Sequence, residues 1–255
     1  MKAISVIFIV ARYPTTYGHT SVINNLCHGL NELGHKTAIG AFSFDNDPPK
    51  GVEKVMLKKN ELLRSGVASL KYDIIHPHQA QVLYYLLFKK PEKPVVFHYH
   101  AASNIIQELN LKLSMKLFKK RISKFISVSE KASHHLEEWA GKCDDVVIYN
   151  GVDTKFFHPD LDQPYRKGTP QLLFVSVLRR YKKTVDLIRV MPELLKTYPK
   201  AHLQIVGNGE DFSRLQNIIK KKNLEKNIEM TGRIDDEELR LRYASCDMYV
   251  SASTN

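Results

Sequence analysis

Short apolar runs and longer amphipathic stretches alternate along the whole of this 255-residue chain. Residues 3–10 form a continuous apolar run rich in β-branched side chains, the pattern of a strand buried on both faces of a parallel sheet. Val22, Leu26, Leu30 and Leu33 then recur at helical spacing, and Gly34 stands where such a helix would stop. Residues 37–44 read as a second strand, and 45–51 (DNDPPKG) as a loop with turn chemistry. Further strands are expected at 52–57, 73–76, 94–99, 125–128 and 146–149, with helices near 61–70, 79–88, 104–120 and 130–139. A polar stretch with two prolines and one glycine, 160–170 (DLDQPYRKGTP), then breaks the pattern. After it, strands at 172–177, 202–206, 228–231 and 248–250 alternate with helices at 184–195, 211–221 and 237–244. Strands separated by helices of this length predict βαβ crossovers and parallel sheets. The expected architecture is α/β, with two Rossmann-like doubly wound domains over 1–158 and 171–255 joined by a linker over 159–170.

Composition narrows the class. With 43% hydrophobic and 25% charged residues, the chain is neither disordered nor fibrous. No apolar run approaches the roughly 18–20 residues that span a bilayer. The apolar start is too short, and it has one preceding lysine and no small-residue cleavage site. It therefore does not read as a signal peptide, and a cytoplasmic location is expected. Cys27, Cys143 and Cys246 are widely spaced without a C-x-x-C pair, which excludes a disulfide framework and fits a reducing compartment.

In an open parallel sheet, ligands bind beyond the carboxyl ends of the strands, so the residues there are the candidates. The first strand is followed by 12–19 (RYPTTYGH), including Gly18 and His19, at a helix start whose free N–H groups suit an anion. Later strand ends carry His76 and His78, His98 and His100, and then Asn150 and Asp153. In the second domain they carry Arg179, Arg180, Lys182 and Lys183, and the pair Gly207 and Gly209. These groups suit a phosphate-bearing ligand in a cleft between domains. Blander readings stand beside them. H-x-H on a strand puts two rings on one face, and no carboxylate or cysteine accompanies them at ligand spacing, so no metal is expected. The glycines alone fit a turn, the four cations fit a solvated helix start, and Cys246 fits the core.

The net charge of +11 is split almost evenly between the halves. Much of the first half's share lies on one helix, where Lys112, Lys116, Lys119 and Lys120 form a stripe opposite Leu111, Met115, Phe118 and Ile122. That stripe fits an ordinary surface helix or a peripheral dock on anionic lipid at the inner face of the cell membrane. Nucleic acid is not an expected partner: no recognition motif is present, and the aromatics read as core and loop anchors.

Together these motifs resemble the retaining GT-B glycosyltransferases of family four, the group 1 glycosyltransferases. The resemblance runs in order along essentially the whole chain. It begins with Pro14, Gly18 and the helix ending in Leu33-Gly34-His35, and continues through DIIHPH (73–78), VVFHYH (95–100) and FISVSE (125–130). Its most specific piece is VIYNGVDTKFFHP (147–159). LLFVSVLRRYKK (172–183), LQIVGNGED (203–211), MTGRI (230–234) and YASCDMYVSAST (243–254) complete it. The resemblance implies transfer of a sugar from a UDP- or GDP-sugar donor to a glycan, glycolipid or glycoprotein acceptor, with retention and without a required metal or other cofactor. It implies an acceptor-side first domain and a donor-side second domain. His100 matches the active-site histidine facing the donor sugar, and Gly18 the loop near the donor phosphates. Lys182 matches a phosphate-contacting lysine, and Gly207 and Gly209 the nucleotide-side turn.

Three departures accompany it. His19 replaces the family's second glycine. Ser176-Val177-Leu178 replaces G-R-L, which leaves Arg179 or Arg180 to substitute for a phosphate-clamping arginine. The family's glycine-rich turn and its two glutamates seven residues apart would follow Asn255, so the second domain is expected to be incomplete. Two rival readings stay open at this stage. One is a noncatalytic GT-B remnant acting as a partner subunit or membrane-surface module. The other is a GT-B sugar-nucleotide epimerase, which the NGVD-x-x-x-F-x-P pattern disfavours.

Overall fold

The computed structural model describes residues 2–15, 19–101 and 105–253. The chain divides into two compact units, Met1–Val152 and Asp153–Asn255.

The first unit runs β1 (Ser5–Tyr13), α1 (His19–Glu32), β2 (Lys36–Phe44), β3 (Glu53–Met56), α2 (Lys59–Ser65), β4 (Ile74–Pro77) and α3 (Leu83–Leu86). It continues through β5 (Val96–Tyr99), α4 (Ile105–Phe118), β6 (Lys124–Ser127), α5 (Glu130–Ala140) and β7 (Asp145–Val147). Strands pair in the orders β3-β2-β1-β4 and β5-β6-β7, all parallel. A parallel bridge between Ile75 and Val95, with the Ile75 N–H donating to the Pro94 carbonyl at 3.1 Å, joins the two sets into one sheet.

The apolar start of the chain has the burial its pattern demands. Ile7 and Ile9 enter the core on one face of the sheet, while Val6, Phe8 and Val10 pack with Ile23 and Cys27 of α1 on the other. Gly34 ends α1 in the left-handed region (φ 82°), and the His35 N–H returns to the Leu30 carbonyl at 2.9 Å. Two expected helices are shorter than their patterns. Residues 61–70 become α2 plus a 3₁₀ turn at Gly66–Ser69, because Gly66 turns the chain at φ 60°. Residues 79–88 become a 3₁₀ turn and the four-residue α3, whose Leu83 and Leu86 are fully inside the core.

The second unit comprises β8 (Gln171–Val175), α6 (Thr184–Thr197), β9 (His202–Val206), α7 (Phe212–Lys221), β10 (Ile228–Gly232), α8 (Asp236–Ser245) and β11 (Met248–Tyr249). Its parallel order is β10-β9-β8-β11. Around Leu172, Phe174, Leu203 and Ile205 it has its own core, which includes Ile188, Met191 and Leu215 from the helices.

The expected linker is corrected by this structure. Arg166 forms a two-pronged ion pair with Asp247 (2.6 and 2.9 Å), and the Gln171 side-chain oxygen accepts from the N–H groups of Lys167 (2.9 Å) and Gly168 (3.2 Å). Arg242, itself buried, lies 4.2 Å over the Tyr165 ring. The polar side chains that read as solvated are thus docked on the second unit. The division falls at Val152/Asp153 instead of after 158, where Asp153 caps a turn by accepting from the N–H groups of Lys155 (2.9 Å) and Phe156 (3.1 Å).

Candidate active site

In the first unit, β1 is flanked by β2 on one side and β4 on the other, so the chain leaving β1 and the chain leaving β4 run in opposite directions. Such a switch point opens a crevice. Here it is a cavity of about 310 Å3, lined from β1 and its loop by Ala11, Arg12 and Thr15, and from the start of α1 by His19. The ends of β4 and β5 contribute His78, Gln79, Gln81, Tyr99 and His100, and the first turns of α4 contribute Gln107, Asn110 and Leu111.

The period of two along β4 and β5 sends His76, His78, His98 and His100 to one face of neighbouring strands. Their rings stack in a column: His76 on His78 (4.8 Å between centroids), His78 on His98 (4.8 Å), His98 on His100 (4.5 Å), and His100 under His19 (4.3 Å). Phe8 closes the column's base at 5.0 Å from His76. His78 Nδ1 and His100 Nε2 share a hydrogen bond of 2.8 Å. Burial, reinforced for most rings by like-charged neighbours, pushes His76 down to about 3, His98 and His19 to about 4 and His100 to about 2, with His78 far below its usual value. All five rings are therefore neutral at pH 7.

Around this column, Gln79 accepts from the Ala11 N–H at 2.8 Å, and Arg12 pairs with Asp45 at 2.6 Å. The Tyr99 hydroxyl meets His135 Nδ1 at 2.5 Å, and His135 Nε2 lies 3.5 Å from Glu108, which ties β5, α5 and α4 together. The backbone turns through φ 68° at Ala101 immediately after His100. Amides, neutral imidazoles and aromatic faces, with Arg12 held by Asp45 and no carboxylate among the described lining residues, make a pocket suited to a polyol.

The structure brings His100, His19 and His78 together at this cavity, while Gly18 lies outside the described residues. Asn150 is exposed on the loop after β7, where the neighbouring Gly151 carbonyl accepts from Asn25 at 3.4 Å. Asp153 was expected in the cleft; its carboxylate instead caps the turn that opens the second unit. The sequence reading missed Tyr99, Gln79, Gln107 and Asn110. The spacing of Gln107, Asn110 and Leu111 marks one helical face and is the signal that could have found them.

In the second unit, the loops after β8 and β9 lie backbone on backbone. The Leu178 N–H donates to the Asn208 carbonyl at 3.0 Å, and the Gly207 N–H to the Gly232 carbonyl at 2.8 Å. A Cβ on Gly207 (φ 126°) would stand 1.9 Å from the Ser176 carbonyl oxygen, and one on Gly209 2.3 Å from that of Leu178. Both glycines are thus required by the packing of two post-strand loops. Beside them a 3₁₀ turn, Arg180–Lys182, leads into α6, whose N-cap Lys183 (φ 49°) makes no side-chain cap. Arg180 is exposed, Lys182 and Arg179 are half-buried, and no carboxylate among the described residues forms an ion pair with Arg180 or Lys182. Helix N–H groups without a side-chain cap, beside this cluster of cations, suit a phosphate.

The expected lysine stripe is corrected. The Lys119 amine caps the end of α5, held at 3.0 Å by each of the Ala140 and Gly141 carbonyls and also by that of Lys142, so it does not belong to a solvent stripe. α4 buries Leu111, Met115 and Phe118 but also exposes Leu109 (56%), Leu113 (50%) and Leu117 (53%) beside Lys112, Lys116 and Lys120.

Two switch-point α/β units, one with a neutral sugar-sized pocket and one with a phosphate-suited helix start, define the GT-B class of sugar-transferring proteins. The chain belongs to glycosyltransferase family 4. The model described as Glycosyltransferase Family 4 matches residues 17–156, and Glycosyl transferases group 1 matches 160–255. It is similar to the alpha-monoglucosyldiacylglycerol synthase of Acholeplasma laidlawii, 24% identical over 97% of this chain and 74% of the relative. A phosphatidyl-myo-inositol mannosyltransferase of Mycolicibacterium smegmatis is 28% identical over 73% of this chain and 49% of its own length. Among solved structures, Anabaena HepE in complex with UDP and glucose superposes with a TM-score of 0.75 at 15% identity, covering 99% of this chain and 75% of that one. A Rickettsia africae glycosyltransferase gives 0.77 at 18% identity, covering 99% and 74%.

The imidazole column makes stability pH-dependent. Unfolded histidines take up protons near pH 6.5 and the buried rings do not, so the unfolded state binds more protons below 6.5. Stability falls as pH drops from 6.5 toward 4, by up to about 1.4 kcal/mol per pH unit for each of His76, His78 and His98. Denaturant unfolding in chelator at pH 7, 6 and 5 should show this slope, and H98Q should flatten it; equal stability at pH 7 and 5 would contradict it.

Proposed function

We propose that this chain carries the acceptor side and the diphosphate-binding part of a retaining glycosyltransferase that moves a sugar from a UDP- or GDP-linked donor to a lipid acceptor at an anionic membrane surface. The observation that carries the reading is the histidine-walled cavity at the β1/β4 switch point, in a chain that also holds the cation-rich start of α6. His100, neutral and anchored to His78, offers hydrogen bonding to the transferring sugar. His19 narrows the same wall. Lys182, Arg180, Arg179 and the α6 N-terminus bear the negative charge that grows on the departing diphosphate, in place of a divalent cation there. Gly207 and Gly209 hold the neighbouring loop close, on the nucleotide side. Retention is carried over with the family resemblance.

A lipid acceptor is favoured by the names of the relatives and by α4. Its exposed Leu109, Leu113 and Leu117 lie beside Lys112, Lys116 and Lys120, which joins apolar insertion to attraction for anionic headgroups. The same helix lines the cavity with Gln107 and Asn110. No helix among the described residues is long and apolar enough to cross a membrane, so attachment in this account is peripheral. No observation favours the partner-subunit reading.

Calorimetric titration with UDP-glucose and GDP-mannose should show binding of one of them, weakened about tenfold or more in Lys182→Ala, which removes a charge-assisted contact. Binding of neither would count against the donor assignment. Separately, flotation with phosphatidylglycerol vesicles should fall at least about tenfold when Leu109, Leu113 and Leu117 become Glu, and undiminished flotation would remove α4 from the membrane.

A further inference from the structure

Beneath the sugar-sized cavity, the histidine column holds a set of donors that the proposed transfer reaction leaves unused. His76, His78 and His98 are 8%, 2% and 3% exposed. His76 Nε2, His78 Nε2 and both ring nitrogens of His98 have no hydrogen-bond partner. A buried polar atom left without a partner destabilises the fold, so three such rings side by side call for a common occupant. One nitrogen from each ring lies within 4.8 Å of the other two.

We infer that His76, His78 and His98 hold one divalent transition-metal ion of the zinc class. Three imidazoles with no carboxylate or carbonyl oxygen select zinc, cobalt, nickel or copper over magnesium and calcium, which require oxygen ligands. Zinc–nitrogen bonds of about 2.0–2.1 Å draw the three donors closer together than they now stand, so binding turns the rings out of their present stack to aim one nitrogen each at the ion. A His78 that ligates through Nε2 donates its Nδ1 proton to His100 Nε2, the hydrogen bond already formed at 2.8 Å. This is the outer-shell arrangement that orients metal-bound histidines. It fixes the tautomer of His100, with its remaining Nδ1 proton as a donor. The metal thereby positions the residue facing the sugar without touching the diphosphate. The sequence set these histidines at strand ends but disfavoured a metal for want of a carboxylate or cysteine nearby; the Ile75–Val95 bridge is what makes neighbours of two strands about twenty residues apart.

The test uses the full chain, stripped with chelator and titrated with Zn2+ alone and with Co2+ alone. One Co2+ per chain is expected, with the visible absorption of a four-coordinate ion and nitrogen ligation in X-ray absorption. Zn2+ should raise the melting temperature. H76Q and H98Q should each bind at least about 100-fold more weakly, since even outer-shell losses cost 10–100-fold. The control H28Q/H134Q, which removes two exposed histidines, should bind as the parent does. Binding that is lost in the control and kept in H98Q overturns the proposal, as does a parent chain that takes up no Co2+ at micromolar concentration. If H76Q and H98Q fail to fold, the parent's Co2+ spectrum decides alone, and a spectrum without three nitrogen ligands refutes the site.

Discussion

The parallel pairing of β1 with β2 on one side and β4 on the other is the constraint on which the site depends. It sets Phe8 opposite His76 and Ile9 opposite Pro77, so β4 delivers its histidines directly over an aromatic base. The bridge from Ile75 to Val95 then places β5 alongside, and H-x-H on each strand becomes four stacked rings. A slip of one residue in either pairing would turn the imidazoles to the opposite face and leave no cavity wall. Order, register and site are one fact seen at three scales.

The second unit repeats the order with different chemistry at its strand ends. Its loops after β8 and β9 touch through their backbones, which only glycine permits at 207 and 209. That contact fixes the short turn Arg180–Lys182 and the start of α6, where cations and uncapped N–H groups gather. In one unit the groups at the cavity are mostly neutral, with Arg12 paired to Asp45, and in the other they are mostly cationic. That division suits a sugar and a diphosphate respectively.

Most of the fold was legible because its signals are local. Alternation of buried strands with amphipathic helices placed nearly every element, and Gly34 marked the end of α1. What escaped depends on tertiary partners. The polar stretch at 160–170 read as a linker because nothing in it shows that Arg166 would find Asp247, or Gln171 the backbone of Lys167 and Gly168. Lys119 read as part of a surface stripe because its role at the end of α5 is set by residues twenty positions away. α4 is apolar on two faces, so its lysines stood out in the sequence while its exposed leucines did not. For the candidate site, His100, His78 and His19 were visible as strand-end and helix-start residues. Tyr99, with its link through His135 to Glu108, needed three elements in place.

Neutral imidazoles and amides also explain how a basic chain offers a pocket for an uncharged sugar: Arg12, the cation among the described lining residues, is paired with Asp45. Central to the proposed function is a sugar nucleotide held by the loops after β8 and β9 of the second unit. Photolabelling with an azido-UDP-sugar, followed by peptide mapping, tests it most directly. The account predicts labelled peptides from residues 176–184 or 207–212, suppressed by excess unlabelled nucleotide-sugar. Label confined to other peptides, or label that excess nucleotide-sugar leaves unchanged, would contradict it.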